Sequence, residues 1–409
     1  MKRIHRSAAV LAALALALPL PIAAAGTAFA APPSAVAASA PAPSAVQLEL
    51  PRPSGPYAIG RDTLHLTDAS RRDPWVPSAG ARELMVSMYY PARGGSGGAT
   101  APYMTVEEAR LLLEKQKLGK AFPPELLSGT RGNARTAARP MGGKHPLVLL
   151  SPGFTLNRAT LTLLAEDLSS RGYVVALMDH AYESFGTAFP GGRTLTCVAC
   201  DTVQQAPTPE ARKKLMGKVA EGRAADISFV IDQLTGRHGA QAASPARKYS
   251  RLIDARRIGA AGHSIGGNSA ATAMAGDQRI RAGANLDGTF FTGTSASALG
   301  GRPFLMLGTE AGHSPDSQDT SWPAFWHSLD GWKRWLTVAD AGHFTFNDLP
   351  VLGAQVGVSD PEAPLSGKRS GEITRDYVGA FFDQQLRGIP QPLLDGPSAA
   401  NPEVIFNAP

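Results

Sequence analysis

A chain of 409 residues is long enough to bury a substantial core, and 43% apolar against only 18% charged residues excludes a highly charged disordered polymer. Its 43 glycines and 33 prolines are many but follow no G-X-Y period, so collagen-like and low-complexity readings fail. The net charge is +6, but three of those charges are Lys2, Arg3 and Arg6, and the remainder is too small an excess to imply a nucleic-acid partner.

In chain order, the first thirty residues have a basic start, an apolar run from about Ala8 to Leu20 and the small-residue ending Ala28-Phe29-Ala30. This is the layout of a secretory signal peptide, expected to be cleaved after Ala30. The run is shorter than the roughly 20 residues of a membrane span and contains Pro19, and no later stretch is long enough, so no transmembrane anchor is expected. The mature chain is expected to be secreted and extracellular. Residues 31–47 are rich in Ala, Pro and Ser and read as a disordered spacer.

Residues 48–409 then read as one α/β domain with an insertion at about 94–143. Strands are expected at Tyr57–Leu66, Glu83–Tyr90, Pro146–Leu150, Tyr173–Met178, Arg257–Ala261, Ala282–Leu286, Pro303–Leu307 and Trp335–Val338. Several are short unbroken apolar runs, as strands buried on both faces should be. Helical patterns lie between them at Arg158–Ser170, within Pro209–Leu234, after Ser264, at Trp322–Leu329 and at Ile373–Leu386. The alternation predicts a mostly parallel central sheet with helices on both faces. Two stretches interrupt it: the insertion, with its own helix around Val106–Leu113, and the Gly/Pro-rich turn Phe185–Arg193. Both are candidate walls or covers of a site.

The most specific motif is Gly262-His263-Ser264-Ile265-Gly266, a G-x-S-x-G between the strand Arg257–Ala261 and a small-residue helix. A serine on a sharp strand-to-helix turn needs glycines on either side, because a β-carbon there would strike neighbouring backbone. Ser264 is therefore the candidate nucleophile. It requires a base, and His343, directly after the last core strand, occupies the place of the base in the chain order Ser, acid, His. His313 follows the preceding strand and competes with it; His263 is expected to pack beneath the turn, and His180 to line the pocket or serve structurally. Asp287 and Glu310 each close a strand after Ser264, and pattern alone does not choose between them. The oxyanion of a tetrahedral intermediate needs two donors, for which the backbone amides of Ile265 and of Phe154, in Ser151-Pro152-Gly153-Phe154, are the candidates.

Together with Gly172-Tyr173-Val174-Val175-Ala176, Asp179-His180, Asn285-Leu286-Asp287-Gly288 and Gly342-His343, these motifs resemble the platelet-activating-factor acetylhydrolase family. The narrower likeness is to the secreted actinobacterial lipase/acetylhydrolase branch of the α/β-hydrolases, over roughly residues 55 to 390. The resemblance implies the α/β-hydrolase fold and a calcium-independent serine esterase that cuts short or oxidised acyl chains from phospholipids. It implies an acid after the strand one step past the nucleophile, which matches Asp287. The sequence departs from the family in the long insertion and in Ile265, where an aromatic commonly follows the nucleophile. A broad carboxylesterase, triacylglycerol lipase or polyester hydrolase of the same fold is the alternative within enzymes. A noncatalytic binding module and a thiol-redox protein are the alternatives outside esterases.

The two cysteines, Cys197 and Cys200, are expected to form a small disulfide pinning the loop after Phe185–Arg193, since two thiols alone do not complete a zinc site. Trp322, Phe325, Trp326 and Leu329 share one helical face and are expected in the core rather than at a lipid surface. No metal and no organic cofactor is expected. The expected partner is an ester or phospholipid substrate, met in solution or at a lipid interface, and the chain is expected to act as a monomer.

Overall fold

The computed structural model describes residues 46–236, 244–292 and 299–408. The expected signal peptide, and the spacer up to residue 45, lie outside the described residues. Strands follow as β1 (Ala58–Arg72), β2 (Ala81–Ala92), β3 (Thr100–Pro102), β4 (Arg131–Thr136), β5 (His145–Ser151), β6 (Val174–His180), β7 (Thr187–Phe189), β8 (Arg193–Leu195), β9 (Ile253–His263), β10 (Ile280–Leu286), β11 (Phe304–Thr309), β12 (Lys333–Val338) and β13 (Val404–Asn407). Among the described residues, eleven of them form one sheet in the order β13-β12-β11-β10-β9-β5-β6-β2-β1-β4-β3. The run from β12 to β6 is parallel, whereas β2 pairs antiparallel with both β6 and β1.

The helices are α1 (Val106–Lys115), α2 (Pro124–Ser128), α3 (Thr162–Ser170), α4 (Val198–Gln204), α5 (Pro209–Thr235), α6 (Ile265–Gly276), α7 (Glu310–His313), α8 (Ser321–Ser328), α9 (Leu349–Ala354) and α10 (Gly367–Arg387). The two long ones begin and end on local signals. Thr208 caps α5 by accepting from the Ala211 amide, and Gly236 closes it in the left-handed region; Ser366 and Gly388 do the same for α10. Strand alternation then sorts the core. Leu147 and Leu149 of β5 face Ile227, Val230 and Ile231 of α5, while Val148 and Leu150 belong to the cluster of Leu164 and Leu168 of α3 and Tyr377 and Phe381 of α10.

All eight expected strands and the expected helices are present, with β1 reaching Arg72 and α10 beginning at Gly367. The interruptions are more regular than the sequence suggests. Part of the insertion extends the sheet: β4 pairs parallel with β1, and β3 antiparallel with β4. Its helices α1 and α2 pack with α9 through Leu112, Leu113, Leu127, Val351 and Leu352, in a cluster that also buries Leu48 and Leu50. The turn at 185–193 is a small hairpin of β7 and β8. Trp322, Phe325 and Leu329 are buried in the core, as their spacing requires, with Trp326 packed partly against it.

Candidate active site

Ser264 sits where β9 meets α6, with φ 57° and ψ −127°, a conformation that L-residues seldom adopt. The neighbouring backbone leaves no alternative to glycine on either side. A β-carbon at Gly262 would come within 2.4 Å of the Gly266 backbone, and one at Gly266 within 2.1 Å of the Ser151 carbonyl. The strained turn is held by the Ser264 amide donating to the Leu286 carbonyl at 2.7 Å.

Around this serine the structure assembles two sequence-distant residues. His343 Nε2 lies 3.0 Å from Ser264 Oγ, and His343 Nδ1 lies 2.6 Å from Asp287 Oδ2. Nδ1–H donates to the carboxylate, so Nε2 presents its lone pair to the serine hydroxyl. Asp287 is buried while the His343 side chain is 49% exposed, so the ring is anchored at one edge and reachable at the other. Burial alone would raise the Asp287 pKa, but hydrogen bonds from His313 and His343 outweigh it and hold the carboxyl well below the usual carboxylate range. The alternative acid, Glu310, is the first residue of α7 and exposed, away from this chain of bonds.

His263 packs beneath the turn, as expected: its Nε2–H donates to the His343 carbonyl at 2.6 Å and the two rings lie 4.7 Å apart. Burial, aided by His343, pushes the His263 pKa down to about 3, so it stays neutral. The two candidate oxyanion amides lie on adjoining segments. Phe154 and Ile265 share one apolar cluster with Val219 and Ala220, and the α6 N-terminus abuts the 151–152 backbone at Gly266. Ile265 is the first residue of α6, where no carbonyl one turn back exists for its amide within the helix.

Three further groups lie near this site. His313 donates to the far side of Asp287 at 2.7 Å, so the competitor for the base stands beside the acid instead. His180 is fully enclosed, bonded to Ser151 Oγ at 3.0 Å and Asp226 Oδ2 at 2.8 Å, and does not line a pocket. Arg82, Arg223 and Glu183 complete that buried network; charged residues amid the apolar face of α5, at Arg223 and Asp226, were its only sequence signal. An apolar cleft of about 560 Å³ lies against the 342–345 segment, lined by Leu113, Leu118 and Phe122 of the insertion and by Phe344, Leu352 and Val358; neither Ser264 nor His343 lines it. Cys197 and Cys200 form the expected disulfide at the start of α4, whose Ala199 amide is tied to the Tyr182 carbonyl. Among the described residues there is no cluster of three His, Cys, Asp or Glu side chains suited to a metal, and no helix long and apolar enough to cross a membrane.

No family model matches the chain. Among curated proteins it is 30% identical over 387 residues to a probable 1-alkyl-2-acetylglycerophosphocholine esterase of Arthroderma benhamiae, covering 87% of this chain and 93% of that one. The chain belongs to the platelet-activating-factor acetylhydrolase family. Members matching at greater distance include the platelet-activating factor acetylhydrolase of Cavia porcellus, 21% identical over 82% of this chain and 78% of its own. Among solved structures, a ferulic acid esterase from Streptomyces cinnamoneus is 44% identical, with a TM-score of 0.74 over 88% of this chain and 99% of that one. Membership in this acetylhydrolase family, with that structural match, makes the protein a carboxylic ester hydrolase of the α/β-hydrolase fold.

Proposed function

We propose that the protein is a secreted serine esterase in which Ser264, His343 and Asp287 form the catalytic triad. The observation that carries this reading is the continuous Ser264–His343–Asp287 chain at a strained strand-to-helix turn. Ser264 Oγ attacks the ester carbonyl as His343 Nε2 takes its proton, and His343 then returns that proton to the departing alcohol. Asp287 stabilises the imidazolium, and the amides of Phe154 and Ile265 receive the oxyanion. Water, deprotonated by His343, then releases the acid from the acyl-serine. No cofactor is required.

The substrate class we propose is short-acyl esters of lipids, supported by the acetyl ester named for the Arthroderma relative and by an apolar cleft against the 342–345 segment, which is large enough to take an alkyl group. A second reading, an aromatic acyl ester, is favoured by the 44% identity to the ferulic acid esterase. Export is supported by the N-terminal signal layout and by the disulfide. The protein is proposed to act as a monomer.

The deciding experiment measures kcat/KM for p-nitrophenyl esters from acetate to palmitate, an acetylated phospholipid and methyl ferulate, with Ser264→Ala as control. A maximum at two to four carbons with phospholipid turnover supports the first reading. Preference for methyl ferulate supports the second, a maximum at eight carbons or more favours a lipase, and activity retained by Ser264→Ala overturns the triad.

A further inference from the structure

Asp287 serves two histidines at once. Its Oδ2 faces His343, while Oδ1 accepts from His313 Nδ1 at 2.7 Å, from the Thr309 amide at 2.7 Å and from Thr309 Oγ1 at 3.0 Å. The opposite nitrogen of His313, Nε2, lies 3.2 Å from Asp319 Oδ2. Asp319 is itself fixed by Thr289 Oγ1 at 2.6 Å and by the Ser321 amide at 2.8 Å. The His313 ring is buried, stacked on Trp322 at 4.3 Å, and its carbonyl accepts the Trp335 indole N–H at 2.8 Å.

A neutral imidazole carries one N–H, and carboxylate oxygens only accept. A ring with a carboxylate at each nitrogen satisfies both only as imidazolium. Burial opposes that charge, but the bonds to Asp287 and then Asp319 overcome it and push the His313 pKa up to about 9.

We infer that His313 is a positioning residue for the esterase reaction: a fixed cation clamped between Asp287 and Asp319 that locks the triad carboxylate and weakens its pull on the His343 proton. The inference rests on the triad proposed above and deepens it. With one carboxylate shared between two rings, Asp287 holds the His343 Nδ1–H less tightly than it would if it served that ring alone. The charged groups facing His313 are Asp287 after β10 and Asp319 before α8; Trp322 of α8, Trp335 of β12 and Thr309 of β11 complete its surroundings. Glu310, on its own short helix, and Asp316 are exposed. His343 is faced by Asp287, Ser264 and the neutral His263.

The test is the pH profile of kcat/KM for His313→Gln, which stays close to the ring in size but carries no charge. The acid limb is expected to move up by about one pH unit in a variant whose circular dichroism matches the parent. A purely structural role would lower activity evenly and leave the limb in place, and that result in the folded variant overturns the inference. Ring ¹⁵N shifts of His313 in the unmutated protein give an independent reading, with both nitrogens expected to stay protonated to about pH 8. A neutral ring at pH 7 overturns the inference even where His313→Gln fails to fold. Because the ring can also be read in Ser264→Ala, failure of the triad and failure of the clamp are separate outcomes.

Discussion

Among the described residues there are two Ser–His–Asp hydrogen-bonded chains of nearly equal geometry. In one, Ser264 Oγ, His343 and Asp287 are linked at 3.0 and 2.6 Å; in the other, Ser151 Oγ, His180 and Asp226 are linked at 3.0 and 2.8 Å. Proton polarity is the same in both, each histidine giving Nδ1–H to its carboxylate and Nε2 to its serine. Their surroundings are opposite. Ser151 ends a regular strand and is sealed from solvent, and Arg223 also approaches its hydroxyl at 3.4 Å. Asp226 is shared among His180, Arg82 and Arg71, whereas Asp287 faces two histidines and no arginine in its bonds. A hydrogen-bond pattern alone therefore does not single out a nucleophile; a solvent-reachable histidine and a strained turn are what distinguish Ser264, the proposed one, from Ser151.

The buried chain has a different use. Arg223 donates to the Pro152 carbonyl at 2.6 Å and to Glu183 at 2.6 Å, and the Glu183 carbonyl takes the Thr155 amide at 3.0 Å. Both flanks of Phe154 are thus fastened to the ion network, which sets the loop that bears one proposed oxyanion donor.

The sharpest way to break this comparison is to delete each serine. Ser264→Ala is expected to lower kcat by about 10⁴-fold or more, and Ser151→Ala by less than about 10-fold, measured on p-nitrophenyl acetate. The acids should separate in the reverse sense under thermal or urea unfolding. Asp226→Asn leaves Arg82 and His180 around a lost charge and is expected to cost about 3–5 kcal/mol, whereas Asp287→Asn should chiefly lose activity.

The pH dependence of stability gives a finer contrast. Burial, then Arg223, lowers the His180 pKa, so the folded chain binds no proton there while the unfolded chain does, and stability falls as pH drops below about 6.5. The raised His313 pKa has the opposite sign: its contribution is complete below about 6.5 and is lost as pH rises toward 9. Urea titrations of His180→Gln and His313→Gln should each flatten one side of the stability profile and leave the other. The smallest effect is expected from Cys197→Ser/Cys200→Ser. A disulfide across three positions closes a short loop, so its loss should cost about 2 kcal/mol and change kcat/KM by less than about threefold.

Much of this was readable in advance because sheet strands buried on both faces appear as apolar runs and because a nucleophile turn has to be built from glycine. The glycine motif and the order of strand ends therefore point to Ser264 and His343, the two residues that the structure brings within 3.0 Å of each other. The acid was open between Asp287 and Glu310 until the sheet placed Asp287 against His343, since a carboxylate's reach depends on three-dimensional strand order. The ion network escapes sequence reading for a similar reason: Arg82, Glu183 and the α5 pair Arg223 and Asp226 come from three separate segments, and only the fold brings them together. β3 and β4 carry no apolar run that would mark them as strands, and the apolar run of β13, Val404-Ile405-Phe406, spans only three residues.

Those margins have a further consequence. A sheet of eleven strands is a long template for docking a second copy side by side, yet it ends in three residues at β3 and four at β13. At the β3 end Pro102 has no amide hydrogen to offer, and its carbonyl is already taken by Arg61. A growing ribbon of molecules would find almost no free backbone to zip onto, so concentrated solutions of the protein should resist fibril formation although most of its sheet is made of the residues that fibrils favour.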